Sequence, residues 1–192
     1  MTKRNIVVVK DNIRVDKIIK QLEKYKDDWQ GAWKQTGAKN IVDEFGFPKI
    51  DIGVLQLVVG QVKDPSEYVG DSEDSVQTLA YARHTEIIAF LKRNFGYFDR
   101  CGFLALPIGG YVGEHIDEGS YYQTRNRYHL AISGEYDYTV GGETIRVKPG
   151  TLFWFNNKLP HGAVNRGDCV RVTFVFDIPH KRDKNKFHLD VI

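Results

Sequence analysis

From Cys101 to Asp177 the chain keeps one texture. Short runs of β-branched and aromatic residues are broken every roughly eight to twelve positions, or sooner, by turn residues. That pattern is all-β, with strands expected at about 101–107, 111–116, 127–133, 136–140, 143–148, 150–155, 161–166 and 169–177. Gly141-Gly142 is a two-residue hairpin turn between Tyr138-Thr139-Val140 and Thr144-Ile145-Arg146-Val147, and Pro149-Gly150 forms the next corner. Eight antiparallel strands in two facing sheets make a jelly roll.

The first hundred residues read differently. Val15, Ile18, Ile19 and Leu22 recur at helical spacing after Asp11 and Asn12, which predicts an amphipathic helix. A longer helix is expected from about Ser75 to Phe95, with an apolar stripe of Val76, Leu79, Ala80, Ile87, Ile88, Leu91 and Phe95. Asp71, Ser72 or Asp74 would cap it. Between the two, Gly31, Gly37, Gly46 and Pro48 punctuate an irregular stretch before a β-rich run, Ile50 to Val59. The expected architecture is mainly β with flanking helices: a cupin-like double-stranded β-helix over 101–178, buttressed by N-terminal helices and extra strands in 1–100. Residues 179–192 form a tail. At 192 residues the whole chain is the size of one domain.

Charge excludes some partners. The 27 basic and 25 acidic residues nearly cancel, with no basic arm or acidic tail, so neither nucleic acid nor a membrane surface is favoured. No apolar run approaches the roughly 20 residues of a membrane span, and Ile6 to Val9 is too short for a secretory core, so a cytoplasmic location is expected. Cys101 and Cys169 then read as two buried free thiols.

His115 and Asp117 are two residues apart near the end of the second jelly-roll strand, where the pleat sends both toward one face. The pair alone is weak, since six histidines and this aspartate content yield about one-half of such a match by chance. His188-Leu189-Asp190 repeats the pattern in the tail, and His84-Thr85-Glu86 fails because residues two apart on a helix do not face each other. His161 adds specificity: it opens the seventh strand, which a jelly roll brings beside the second. Two imidazoles and a carboxylate on one face of an ion leave coordination positions open, which suits non-haem Fe(II) binding a cosubstrate and O2. Zinc or manganese in a non-oxygenase cupin is the alternative on donor type.

Arg171 and Thr173 share a face of the eighth strand. An arginine turned into a barrel is costly unless it meets an anion, and its planar guanidinium matches a carboxylate with two parallel hydrogen bonds. Thr173 can add a hydroxyl donor. A diacid that chelates iron at one end and meets Arg171 at the other is 2-oxoglutarate. The loop Glu118 to Asn126 follows the metal ligands directly and is polar and aromatic, a place where binding groups gather. There Arg125 is placed to pair with a substrate carboxylate and Tyr122, or Trp154 beyond the loop, to pack on it, with plain surface or core roles as the alternative. His84 reads as a core histidine, and His180 and His188 as solvated tail residues.

Between about Gly110 and His180 the chain resembles the aspartyl/asparaginyl β-hydroxylase-like Fe(II)/2-oxoglutarate-dependent oxygenases, which include bacterial free-proline hydroxylases. The resemblance is carried by His115-Ile116-Asp117, Arg127-Tyr128-His129-Leu130, Val140-Gly141-Gly142-Glu143, Pro149-Gly150, Phe155-Asn156-Asn157 leading to His161, Asn165, and Arg171 followed by Phe174-Val175-Phe176-Asp177. It implies that His115, Asp117 and His161 bind iron, that Arg171 holds the distal carboxylate of 2-oxoglutarate, and that Arg127 and His129 lie against the cosubstrate. Asp117 departs from the animal aspartyl hydroxylases, which lack a carboxylate there, and directs the chemistry to hydroxylation rather than halogenation. The family's closing Asp-x-x-His-Pro is kept only in part, as Asp177-Ile178-Pro179-His180.

The expected activity is therefore a 2-oxoglutarate-dependent dioxygenase. It would hydroxylate an unactivated C–H bond of a small amino acid or amino-acid side chain and release succinate. The reading from another class is a non-oxygenase cupin acting as a metal-dependent small-ligand binder or structural module.

Overall fold

The computed structural model describes residues 4–30, 40–42, 48–50 and 52–187. In chain order they form β1 (Ile6–Lys10), α1 (Asp16–Lys24), β2 (Asn40–Val42), β3 (Pro48–Ile50), β4 (Gly53–Gly60), β5 (Ser75–Gln77), α2 (Thr85–Asn94), β6 (Cys101–Leu106), β7 (Tyr111–His115) and α3 (Ser120–Gln123). Then follow β8 (Arg125–Ser133), β9 (Tyr136–Val140), β10 (Glu143–Val147), β11 (Leu152–Phe155), β12 (His161–Asn165) and β13 (Arg171–Pro179). All eight strands expected after residue 100 are present, each within two residues of its expected ends; β8 begins two residues earlier and β13 ends two residues later than expected.

A seven-stranded sheet in the order β1-β11-β8-β13-β6-β4-β5 packs against a four-stranded sheet in the order β10-β9-β12-β7, and β2 and β3 pair separately. Strand alternation explains both layers. On β8, Tyr128, Leu130 and Ile132 turn outward, as do Phe174 and Phe176 on β13. They meet Ile18 and Leu22 of α1 and Ile87, Ile88 and Leu91 of α2 in one buried cluster. Each such side chain, fully removed from water, contributes about 1.5–3 kcal/mol. The opposite residues point between the sheets, where Tyr136, Tyr138, Phe153, Phe155 and Ala163 form a second cluster. Arg127, His129, Arg171 and Thr173 share that inner face.

The expected long helix is not continuous. Val76 pairs with Val59 in edge strand β5, Leu79–Ala82 make a 3-10 turn, and the α-helix begins at Thr85. Leu79 is 87% exposed and Val76 43%, so of the stripe before Ile87 only Ala80 meets the core. The free edge of β4 gives this segment hydrogen-bond partners that a helix would forgo. The proposed caps serve elsewhere: Asp71 Oδ1 accepts from the Ser120 N–H at 2.7 Å, Ser72 Oγ bonds the Gln61 carbonyl, and Asp74 pairs with Lys63 at 3.1 Å. Two further strands were not foreseen. β1 pairs with β11 at the far side of the large sheet, and β2 precedes β3. The β-rich run expected at Ile50 to Val59 is split between β3 and β4.

Both cysteines are free, but only Cys101 is buried; Cys169 is exposed, in the turn before β13. His84 is fully buried with Nε2 3.1 Å from Asp28, a core position as expected. His180 is half-buried rather than solvated, its backbone N–H donating to the Thr124 carbonyl at 3.0 Å. Gly31, Gly37, Gly46 and His188-Leu189-Asp190 lie outside the described residues. Among those residues no helix is long and apolar enough to cross a membrane.

Candidate metal centre and anion pocket

The hydrogen-bond register of two strands assembles the centre. His115 on β7 and His161 on β12 are direct cross-strand partners, so both rings leave the sheet on one face, with centroids 4.4 Å apart. The register shifts between His161 and Ala163, and Gly162 lies at that irregularity. A Cβ on Gly162 would come within 2.7 Å of the Val112 carbonyl oxygen, so only glycine lets the two strands approach here. Asp117 follows just beyond β7, its N–H reaching the Asn157 carbonyl at 3.4 Å. One donor atom from each of His115, Asp117 and His161 falls within 4.8 Å of the others, the one such group of three found among the described residues.

The donor set fits a divalent metal. His115 Nδ1 lies 3.0 Å from the Gly113 carbonyl and His161 Nδ1 lies 2.9 Å from the Leu159 carbonyl. A carbonyl only accepts, so each Nδ1 carries the proton and each Nε2 keeps a free lone pair. Burial lowers the proton affinity of His161, outweighing the Leu159 hydrogen bond, which raises it. His161 Nε2 is 3.8 Å from Asp117 Oδ1. Donors on one face of an ion at bond lengths of about 2.0–2.2 Å sit roughly 3 Å apart, so the three side chains would draw together around a bound ion.

Behind this centre is a cavity of about 70 Å³ lined by His115, His161, His129, Tyr138, Arg127 and Arg171 among others. Arg171 is 2% exposed, its Cζ lies 4.3 Å from the centre of the Tyr136 ring, and its Nε has no hydrogen-bond partner. No acidic side chain pairs with it among the described residues. His129 is also buried, edge-on to Tyr138, Phe153 and Phe155, with Nδ1 unpartnered. Burial, and then the positive charges of Arg171 and Arg127, hold His129 neutral well below the ordinary histidine range. Burial likewise raises the Tyr138 hydroxyl, reinforced by the charge of Asp117.

Several side chains lie elsewhere than the sequence suggested. Arg127 lines the cavity, yet its guanidinium is shared by two carboxylates: Nε and Nη2 bond Asp177 at 2.8 and 2.9 Å, and Nη1 meets Asp117 Oδ2 at 3.0 Å. Thr173 is fully buried with Oγ1 2.7 Å from the Tyr136 hydroxyl, so it braces the ring beneath Arg171 and is not among the cavity walls. Trp154 alternates to the outer face, donating Nε1–H to Asn126 at 3.1 Å with its ring against Phe187, and cannot reach a substrate in the barrel. Arg125 is committed to Glu73 at 2.8 Å and Asp99 at 3.1 Å. Tyr122 stays beside the centre, its ring centre 4.6 Å from the Arg127 Cζ.

Residue-by-residue reading gave Asp177 and Lys158 no role. Asp177 anchors Arg127 and accepts from the Tyr121 hydroxyl at 3.3 Å. The Lys158 ammonium bonds the Arg125 carbonyl at 2.6 Å and Asn157 Oδ1 at 2.7 Å, and burial pushes its pKa down to about 8. The signal for Asp177 was its inward parity with Arg171 on one strand; Lys158 carried none.

Residues 103–176 match the family model of the cupin domain. The matched stretch runs from β6 into β13 and contains all three metal-ligand candidates and Arg171. Solved structures similar to the chain include one described as a predicted oxalate decarboxylase from Thermotoga maritima, at 14% identity and TM-score 0.41, covering 74% of this chain and 91% of that one. A cupin domain from Schizosaccharomyces pombe is 16% identical with TM-score 0.37, over 43% of this chain and 60% of that one. An oxalate oxidase in complex with the substrate analogue glycolate is 16% identical with TM-score 0.36, over 43% of each chain. No curated protein sequence matches the chain. The cupin barrel, with its two longer helices packed on the outer face of the large sheet, is the fold the residue pattern called for.

Proposed function

We propose that the chain is an Fe(II)/2-oxoglutarate-dependent dioxygenase that hydroxylates an unactivated C–H bond of a small, carboxylate-bearing molecule, a free amino acid or an amino-acid side chain. The observation that carries this reading is Arg171: a guanidinium sealed in the barrel, without an acidic partner among the described residues, in the same cavity as His115 and His161. Burying such a charge uncompensated costs several kcal/mol, so its environment is that of a receptor for an anion. A dicarboxylate spanning the cavity satisfies both ends, with the near end on the metal held by His115, Asp117 and His161 and the far end on Arg171. Iron, when bound, supplies the activation of O2 that couples decarboxylation of 2-oxoglutarate to hydroxylation. His129, neutral between Arg171 and the triad, offers the cosubstrate an uncharged polar wall, and Tyr136 fixes the plane of the guanidinium from below.

The test is incubation of the Fe(II)-loaded protein with 2-oxoglutarate and a panel of amino acids and peptides, reading succinate by NMR. Succinate above the metal-free control supports the reading. Arg171→Ala removes one partner of a buried charge pair, worth about 2–5 kcal/mol, so 2-oxoglutarate binding is expected to weaken roughly 30-fold or more. An unchanged affinity in that variant would remove the anion pocket from the argument. The second reading, a non-oxygenase cupin module, draws on the Arg127–Asp117 pair, which neutralises the triad's carboxylate without any ion. Metal binding with no succinate from any substrate would favour it.

A further inference from the structure

Beside the metal centre the inner face of the large sheet carries a second, larger cavity of about 510 Å³. It opens where that sheet, seven strands wide, outruns the four-stranded one. Val54 and Val58 of β4, Gly102 and Leu104 of β6 and Val175 of β13 give it an apolar floor, because these strands send Leu55, Leu57, Phe103 and Phe174 to the opposite face. Leu104, Val175 and Arg127 belong to both cavities, so the two adjoin at the Arg127–Asp117 pair.

At the rim of this groove is Arg100. It is 8% exposed, its Nη2 donates to the Val69 and Ser72 carbonyls at 2.8 and 2.6 Å, and its Nε has no partner. No carboxylate forms an ion pair with it among the described residues. Gly60 makes room for it, since a Cβ there would overlap the guanidinium. Tyr122 lies between the two arginines of the groove, its ring centre 4.6 Å from Arg127 Cζ and 6.0 Å from Arg100 Cζ. The one acidic side chain lining the groove, Asp177, is already occupied by Arg127 and Tyr121. The groove therefore offers an apolar bed and a guanidinium that lies over the Tyr121 ring, 3.8 Å from its centre, with no carboxylate bonded to it among the described residues, and the acidic side chain lining the groove is not free to receive an ammonium.

We propose that this groove is the site of the substrate to be oxidised, and that it narrows the substrate class given above to a monocarboxylate with an apolar body of a few carbons and no ammonium group, its carboxylate on Arg100. Free amino acids are thereby set aside. The inference rests on the dioxygenase reading for the word substrate, but the binding claim stands apart from it. The test measures binding of hexanoate, hexanol and hexylamine to the full chain by ligand-observed NMR, with and without saturating 2-oxoglutarate. Hexanoate is expected to bind in both conditions and hexylamine in neither. Arg100→Met should weaken hexanoate by about tenfold or more, the scale of lost hydrogen bonds to a charged group, while leaving hexanol unchanged. Because Arg100 also ties down the Val69–Ser72 segment, Val54→Trp, which fills the floor without touching Arg100, serves as the second variant and should exclude both hexanoate and hexanol. Hexanoate that is displaced by 2-oxoglutarate, that ignores both substitutions, or that fails to bind the parent overturns the proposal. Hexanoate bound as expected by a protein that makes no succinate would instead sink the dioxygenase reading and leave the groove standing.

Discussion

At the residue scale the centre is a chain of alternating charge, Asp117–Arg127–Asp177, closed by the Tyr121 hydroxyl. Arg127 holds the oxygen of Asp117 that is turned away from His161, so it fixes which oxygen is presented to a metal. Two effects of Arg127→Ala follow. Asp177, almost fully buried, loses its counter-charge, so urea unfolding should show a loss of about 3–5 kcal/mol. Asp117 loses its orienting partner, so Co(II) affinity, read by its absorption bands, should fall about 10–100-fold. A variant as stable and as tight as the parent would mean that the ion pair is incidental. The resemblance had placed Arg127 against the cosubstrate. Its pairing depends on Asp177, fifty residues away, and no local pattern records that contact.

At the element scale the decisive contact is β7 against β12. Gly162→Val sets a branched side chain against the Val112 carbonyl, which forces the strands apart at the point where His115 and His161 face each other. Metal binding should fall at least tenfold while the outer helices stay folded, giving weaker Co(II) bands with far-UV circular dichroism unchanged. Wild-type bands would show that the spacing is not set there. The elements themselves were legible in proportion to how much they depend on their own alternation. β8, β11 and β13 carry an unbroken inward–outward rhythm and appear in the structure as expected. The segment at Ser75–Ala82 has helical spacing but lies against an open sheet edge, and there the tertiary contact with β4 prevails over periodicity. Trp154 was misplaced by a single step of parity, since Phe153 and Phe155 take the inner face and leave Trp154 outside. β1 was missed because its partner β11 lies about 150 residues along the chain.

At the scale of the whole molecule, both layers of the core contain histidines held neutral by burial. His84 sits under the helices and His129 between the sheets, each with a proton affinity lowered first by desolvation. In the unfolded chain both titrate near 6.5. Below that pH the unfolded state binds protons that the folded state refuses, so the stability they confer is complete above about pH 6.5 and declines as pH falls. The slope approaches about 1.4 kcal/mol per pH unit for each histidine. Urea midpoints should accordingly drop between pH 7.5 and 5.5, and the His84→Asn, His129→Asn double variant should show a shallower drop. Equal slopes in the two proteins would place the acid sensitivity in other groups.

The unequal width of the two sheets has a kinetic consequence. β7 is the last strand of the smaller sheet, and His115 stands exposed on it, so the reactive corner is at the lip of the barrel. Among the described residues His115 is open to solvent, so molecules reach that corner along the shelf from outside. On the proposed dioxygenase reading, turnover in such an arrangement is paced by chemistry and by how long each guest lingers, and a thickened solvent would slow arrival alone.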